Sequence, residues 1–249
     1  MQTYKILGVK CHSLTMDEAL GRLQEFLQGD KTCLVVTVGP EMIMRAQEDE
    51  DFKNLVNAAD LVVPDGSGVL WAASRCGVKI PERIAGVELI DRFAEILAAR
   101  KDNALFLLGA APGIAEKAGE KLKEKYPGLP LGGCRDGYFK EDGPVVEQIK
   151  QSGARVVYAA LGSPKQEKWI RDRGAEACIK VGIGVGGSFD VISGAKKRAP
   201  QLFIKLRLEW LYRLLCEPSR WRRFLAFPRF MYLVVKNGRG AVEEWKDGN

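Results

Sequence analysis

The sequence predicts an α/β fold: a mostly parallel sheet with helices on both faces, followed by a helical C-terminal appendage. Three observations carry this. Short apolar runs at Cys33–Val38, Leu61–Val63, Ala104–Leu108, Arg155–Leu161 and Ile179–Ile183 lack polar alternation, as strands buried on both faces do. Turn residues and then a helical stretch follow them, and strand–helix alternation implies a parallel sheet. The composition then changes. Lys196 to Lys236 is rich in Lys and Arg and holds only two acids, Glu209 and Glu217. The 249 residues suffice for one large domain with an appendage, divided as 1–195 and 196–249.

In chain order, Leu14-Thr15-Met16-Asp17-Glu18 reads as a capping box, with Thr15 at the N-cap and Glu18 at the third helical position. That helix should run to about Gln28, where Gly29-Asp30 ends it. The strand Cys33–Val38 closes in Gly39-Pro40, and a helical stretch begins at Glu41. Leu61–Val63 is the next core strand, stopped by Pro64, which cannot donate to a ladder. A long helix starts at Gly86 and reaches about Arg100. The strand from Ala104 passes through Gly109-Ala110-Ala111-Pro112-Gly113 into a charged helix ending near Tyr126. Arg155–Leu161 passes through Gly162-Ser163-Pro164 into a helix bearing Gln166 and Glu167. Ile179–Ile183 reads as the last strand and leads to Gly184-Val185-Gly186-Gly187-Ser188-Phe189-Asp190.

The tail carries no strand signal. Gln201, Lys205, Glu209 and Arg213 recur every four residues and form one polar ridge on an otherwise apolar helix, too wide a stripe for a helix lying singly on a core. Pro218 breaks it. Arg220-Trp221-Arg222-Arg223-Phe224-Leu225 follows, then Pro228 and an apolar run to Val235. Arg mixed with Trp and Phe suits a membrane interface. A helical pair packed on the body or on a sister subunit is the other reading, and self-association is expected.

The net charge of +6, concentrated in the tail, suggests an anionic partner. No apolar run is long enough to span a bilayer, and the N-terminus lacks a signal segment. The expected location is cytoplasmic, peripheral to the inner face of the membrane. Six scattered cysteines with no CxxC pair, and one histidine, His12, argue for reduced thiols and against zinc.

One stretch concentrates the chemistry. In Leu61-Val62-Val63-Pro64-Asp65-Gly66-Ser67-Gly68 a carboxylate stands at the C-terminal end of a strand, just before a helix, where ligands bind in open α/β sheets. Asp65 is the candidate catalytic base; a cap for the following helix is the alternative. The glycine-rich turns at Gly109, Gly162 and Gly184–Gly187 suit close approach of backbone to a phosphate-bearing ligand, or simply tight packing. Asp49-Glu50-Asp51 has the D-x-D form of many sugar transferases but reads as solvated surface. Arg83, among turn residues before a helix, faces either a ligand or a neighbouring carboxylate.

Taken together, these motifs resemble the WecG/TagA/CpsF family of bacterial glycosyltransferases over nearly the whole chain. The resemblance rests on Ala59–Gly66, Pro81–Gly86, Leu161–Trp169, Gly184–Asp190, Lys197–Pro200 and Glu209–Leu214. It implies a Rossmann-like body and an inverting, metal-independent transferase that needs no cofactor. The implied donor is a UDP-N-acetylhexosamine, UDP-N-acetylmannosamine in one branch of the family. The implied acceptor is N-acetylglucosamine on undecaprenyl diphosphate at the inner membrane leaflet, and the product would enter wall teichoic acid or a related surface polymer. On this reading Asp65 takes the acceptor proton, and Arg213, Arg220 and Arg223, with Arg222 beside them, stabilise the departing diphosphate. Thr37 and Gln166 hold the sugar, Arg83 sugar or phosphate, and Gly109 and Gly186 lie against the donor. Asp190 binds the nucleotide or orients the glycine turn. Where the family often has Asn-Pro after the first core strand, this chain has Gly39-Pro40, so one amide that could contact the sugar is missing. The residues alone leave two other readings open. One is a nucleotide-dependent enzyme such as a dehydrogenase, disfavoured because GxGxxG is absent. The other is a non-catalytic module docking to membrane or nucleic acid through the basic tail; on the resemblance no nucleic-acid partner is expected.

Overall fold

A computed structural model describes residues 1–197, 199, 200, 203, 212, 215, 216 and 225–245. The chain opens with a hairpin, β1 (Gln2–Ile6) and β2 (Val9–Ser13), followed by α1 (Met16–Gln28). The capping box is present: Thr15 Oγ1 accepts from the Glu18 amide, and the Glu18 carboxylate accepts from the Thr15 amide. Then come β3 (Cys33–Val38), α2 (Pro40–Glu48), α3 (Glu50–Ala58), β4 (Leu61–Pro64), α4 (Ser67–Arg75) and α5 (Gly86–Arg100). They are followed by β5 (Ala104–Gly109), α6 (Ile114–Lys125), β6 (Leu131–Arg135), α7 (Gly143–Gln151) and β7 (Ala154–Ala160). The body closes with α8 (Lys165–Arg173), β8 (Val181–Gly184) and α9 (Ser188–Ile192). Beyond these, the described residues form α10 (Ala226–Asn237) and β9 (Val242–Glu244).

Six strands form one all-parallel sheet in the order β4-β3-β8-β7-β5-β6. Its apolar runs serve both faces, as alternation within a strand requires. On β3, Leu34, Val36 and Val38 enter one core layer while Cys33 and Val35 enter the other. The first layer takes α2, α3, α4, α7, α8 and α10; the second takes α1, α5, α6 and α9. Asp49 ends α2 and caps α3, accepting from the Phe52 amide at 2.9 Å, so the D-x-D triplet serves as a helix junction.

Two expectations are corrected. The last strand is not the one before the glycine turn, and the tail does carry a strand. β9 pairs antiparallel with β1 through Tyr4↔Glu244, Lys5↔Glu243 and Ile6↔Val242, making a small sheet β2-β1-β9. Three residues carry no pattern of their own; the open edge of β1 supplies the ladder. The tail therefore returns to the body. Phe230 and Val234 of α10 are fully buried in the first layer. Phe227 packs over Gly68, where an added Cβ would stand 2.8 Å from Phe227 Cε2 and 2.6 Å from Pro40 Cγ. No helix among the described residues is long and apolar enough to cross a membrane.

Candidate active site

The carboxyl ends of the parallel strands share one edge. Along it lie the β4–α4 turn with Asp65, then Thr37 of β3, the turn after β8 with Gly186, the start of α8 after β7 with Gln166, and Gly109 of β5. β3 and β8 are neighbours, yet the chain leaves β3 into α2 in the first layer and leaves β8 into α9, whose Phe189 lies in the second. Adjacent strands whose connections depart to opposite faces open a crevice, the usual ligand position in such sheets.

One wall of this crevice carries the acid. Asp65 is partly exposed, and its amide donates to the Val38 carbonyl at 2.8 Å. Gly66 then turns the chain with φ +97°, a conformation that disfavours any side chain. Gly66, not Asp65, is the N-cap of α4, and no side-chain cap bond is made there among the described residues. Instead Asp65 Oδ2 accepts at 3.2 Å from the amide of Gly86, the first residue of α5. A helix N-terminus holds a carboxylate favourably. Ile84 N–H donates to the Pro64 carbonyl at 2.8 Å, tying the Arg83 loop to the same strand end. Gly86 also admits Thr37: a Cβ at 86 would lie 3.3 Å from Thr37 Oγ1. Thr37 and Asp65 therefore meet around one glycine. Gly39, on the same wall, lies close to Asp65, with its Cβ position 3.1 Å from the Asp65 carbonyl oxygen.

The opposite wall is a glycine turn clamped by side chains. Gly186, at φ +50°, donates its amide to Gln166 Oε1 at 3.1 Å. Gln166 Nε2 in turn donates to Glu167 Oε1 at 2.8 Å. Both side chains are buried, at 4% and 1% exposure. Burial pushes the Glu167 carboxyl above its ordinary range, against weaker pulls from the Gln166 amide, the backbone, the Ser163 hydroxyl and Arg45. Arg45 Nη1 also bonds the Ser163 carbonyl at 2.9 Å, fastening this loop to α2. Sequence reasoning sets Glu167 in the first turn of this helix but assigns it no role. An acid in the first turn of a helix is ordinary, and only the packing over Gly184 seals it.

The other predicted residues fall around this frame. Arg83 lines a cavity of about 270 Å³ with Met16, Glu82, Glu88, Asp91 and Arg92. Gly109 is buried, and a Cβ there would stand 2.5 Å from the Ala160 backbone, so close strand packing requires a glycine here. The Asp190 carboxylate pairs with Lys196 at 2.8 Å, at the start of the basic segment. Arg213, Arg220 and Arg223, and Arg222 with them, lie outside the described residues.

The sequence matches the Glycosyl transferase WecG/TagA/CpsF family over residues 4–243. The chain belongs to this glycosyltransferase family. Relatives named N-acetylglucosaminyldiphosphoundecaprenol N-acetyl-beta-D-mannosaminyltransferase include that of Bacillus spizizenii, 37% identical over 220 residues, which are 88% of this chain and 84% of the relative. The Bacillus subtilis protein of that name is 34% identical over 239 residues, covering 95% and 92% of the two chains. The Staphylococcus aureus protein is 36% identical over 237 residues, covering 94% and 92%. The family match spans both the Asp65 strand and the β1–β9 pairing, so body and returning tail belong to one family unit.

Proposed function

We propose that this protein is an inverting hexosyltransferase that moves N-acetylmannosamine, or a related N-acetylhexosamine, from a UDP donor to N-acetylglucosamine on undecaprenyl diphosphate. The observation that carries this is the meeting of Asp65 and Thr37 at the crevice mouth, with the acid partly open to solvent. The names of the relatives supply the acceptor and the sugar.

In this reading Asp65 removes the proton of the acceptor hydroxyl as its oxygen attacks the anomeric carbon. The bond from that carbon to the UDP oxygen breaks, and UDP leaves with the electron pair. No metal takes part. Arg213, Arg220 and Arg223 stabilise the diphosphate, and Arg83 contacts sugar or phosphate. Thr37 and Gln166 hold the sugar, Gly109 and Gly186 border the donor, and Asp190, paired with Lys196, orients the glycine turn. Residues 1–195 form the transfer cleft; 196–249 bring it to the inner membrane surface and complete it, in a self-associating protein. The product is destined for wall teichoic acid or a related polymer.

The test is a UDP-release assay with a panel of UDP-sugars and a short lipid-diphosphate N-acetylglucosamine acceptor. Turnover with one donor identifies the substrate; absence of turnover with every donor rejects the proposal.

A further inference from the structure

Glu167 is a buried acid for which the chemistry above has no use. Its Oε1 accepts from Gln166 Nε2 at 2.8 Å, and its Oε2 is sealed from solvent with no hydrogen-bond partner among the described residues. The buried Ser163 hydroxyl, at the foot of the same helix, exerts only a weak pull on this carboxyl. A buried carboxyl this weakly satisfied works against folding. A site selected only for packing would carry Leu or Met here, so the acid has to be explained by what its bonded oxygen does.

That oxygen decides how the Gln166 amide sits. The Gly186 N–H can only donate, so Gln166 Oε1 faces it, and the Nε2 group then needs an acceptor on its other side. Glu167 Oε1 is that acceptor. Without it a flip of the amide sets its NH2 against the Gly186 N–H, and the clamp between α8 and the glycine turn is lost. Gly184 keeps room for the pair: a Cβ there would stand 2.6 Å from Gln166 Nε2 and 3.0 Å from Glu167 Oε1. Four residues, two from the first turn of α8 and two from the end of β8 and the turn after it, thus form one bracket beside the β3–β8 crevice.

We propose that Glu167 is a positioning residue for the donor sugar nucleotide: its carboxyl orients the Gln166 amide against Gly186 and so sets the glycine wall of the crevice. This rests on the crevice being a UDP-sugar site. Glu167 touches neither reacting atom, so its effect falls on donor binding and not on the acceptor or the chemical step.

The experiment compares Glu167→Met, Glu167→Gln and Gly184→Ala in the full-length protein, by donor and acceptor kinetics, UDP titration calorimetry and thermal melting. Glu167→Met is expected to raise the donor KM and the UDP Kd about tenfold, the loss of one charge-assisted bond. It leaves kcat at saturating donor and the acceptor KM within about twofold, and Tm within about 4 °C, because an apolar side chain also removes the desolvated, weakly satisfied oxygen. Glu167→Gln retains an acceptor for Nε2 and restores the donor KM to within about threefold of wild type. Gly184→Ala pushes on the pair without deleting either group and raises the donor KM in the same direction. A Met variant with wild-type donor KM and UDP affinity overturns the proposal, as does a Gln variant as impaired as the Met variant. A Met variant that loses kcat and Tm together, with donor KM unmoved, reduces Glu167 to a packing residue. Failure of the wild-type protein to bind UDP overturns the sugar-nucleotide reading and this proposal with it.

Discussion

Two carboxylic acids stand over the same edge of the parallel sheet in opposite surroundings. Asp65 is partly open to water and holds one helix amide. Glu167 is 1% exposed and holds one side-chain amide. Environment separates roles among like groups: an accessible carboxylate can exchange a proton with a substrate, whereas a sealed one serves as a fixed acceptor. The walls around them also differ in origin. The glycine wall is local, assembled from Ser163 to Gly186 and fastened to α2. The Asp65 wall is long-range, drawing on His12, Pro40, Gly86 and, from the returning tail, Phe227. The proton-handling half of the site is thereby joined to the C-terminal part of the chain, while the other half is fastened to α2.

The contrast is broken most directly by Asp65→Asn. Loss of a general base should lower kcat by about 10²–10⁴-fold while UDP affinity, read by calorimetry, is preserved. Weakened UDP affinity with kcat at saturating donor intact would interchange the two walls. Next in size is Gly68→Ala, which drives a methyl group into Pro40 and Phe227. Urea unfolding should show a loss of about 1–3 kcal/mol, with UDP affinity unmoved in the folded protein.

A pH effect sharpens the comparison behind the Asp65 strand. His12 Nδ1 accepts the Val62 amide of β4 at 2.8 Å, filling the open edge of that strand. Burial, helped by the charge of Lys10, lowers its pKa from 6.5 to about 4. The unfolded chain takes up this proton near pH 6.5 and the folded chain only near 4, so stability falls as pH drops between those values. From pH 7 to pH 5 the loss from this group is about 2 kcal/mol. Urea midpoints at the two pH values measure it, and the portion absent in His12→Gln belongs to the histidine. The smallest effect belongs to the exposed Arg229–Glu48 pair, 2.9 Å apart across α10 and α2. Arg229→Ala should cost less than about 1 kcal/mol in the same assay. A larger loss would mean that α10 is held by charge and not by Phe227, Phe230 and Val234.

Much of this architecture is legible in the sequence where a segment carries its own signal. Thr15 and Glu18 mark the start of α1, an unbroken apolar run marks β3, and Gly86 to Arg100 bounds α5. Strands that depend on a partner are not legible. β6, with the sequence Leu-Gly-Gly-Cys-Arg, is an edge strand with no apolar run, and β9 is defined by β1 from the other end of the chain. The site divides the same way. Asp65 stands out because strand, proline, acid and glycine follow one another. Gly86, whose amide it accepts from, lies 21 residues away and is brought near only by the fold. Glu167 is invisible because its burial comes from Gly184 on another strand.

The pairing of β9 with β1 bears on how shortened forms of the protein will behave. Leu7 N–H bonds the Ala241 carbonyl and Trp245 N–H bonds the Thr3 carbonyl, both at 2.8 Å, so the two ends of the described chain are stitched together. Trimming from the C-terminus unpicks this seam first and leaves a bare row of peptide groups along Thr3 to Leu7, which recruits strands from other molecules. Precipitation of such a form would signal an uncovered seam, not a ruined catalytic centre. Excising residues inside the basic segment while keeping 226–245 spares the seam, and is the sounder way to ask what the tail arginines contribute.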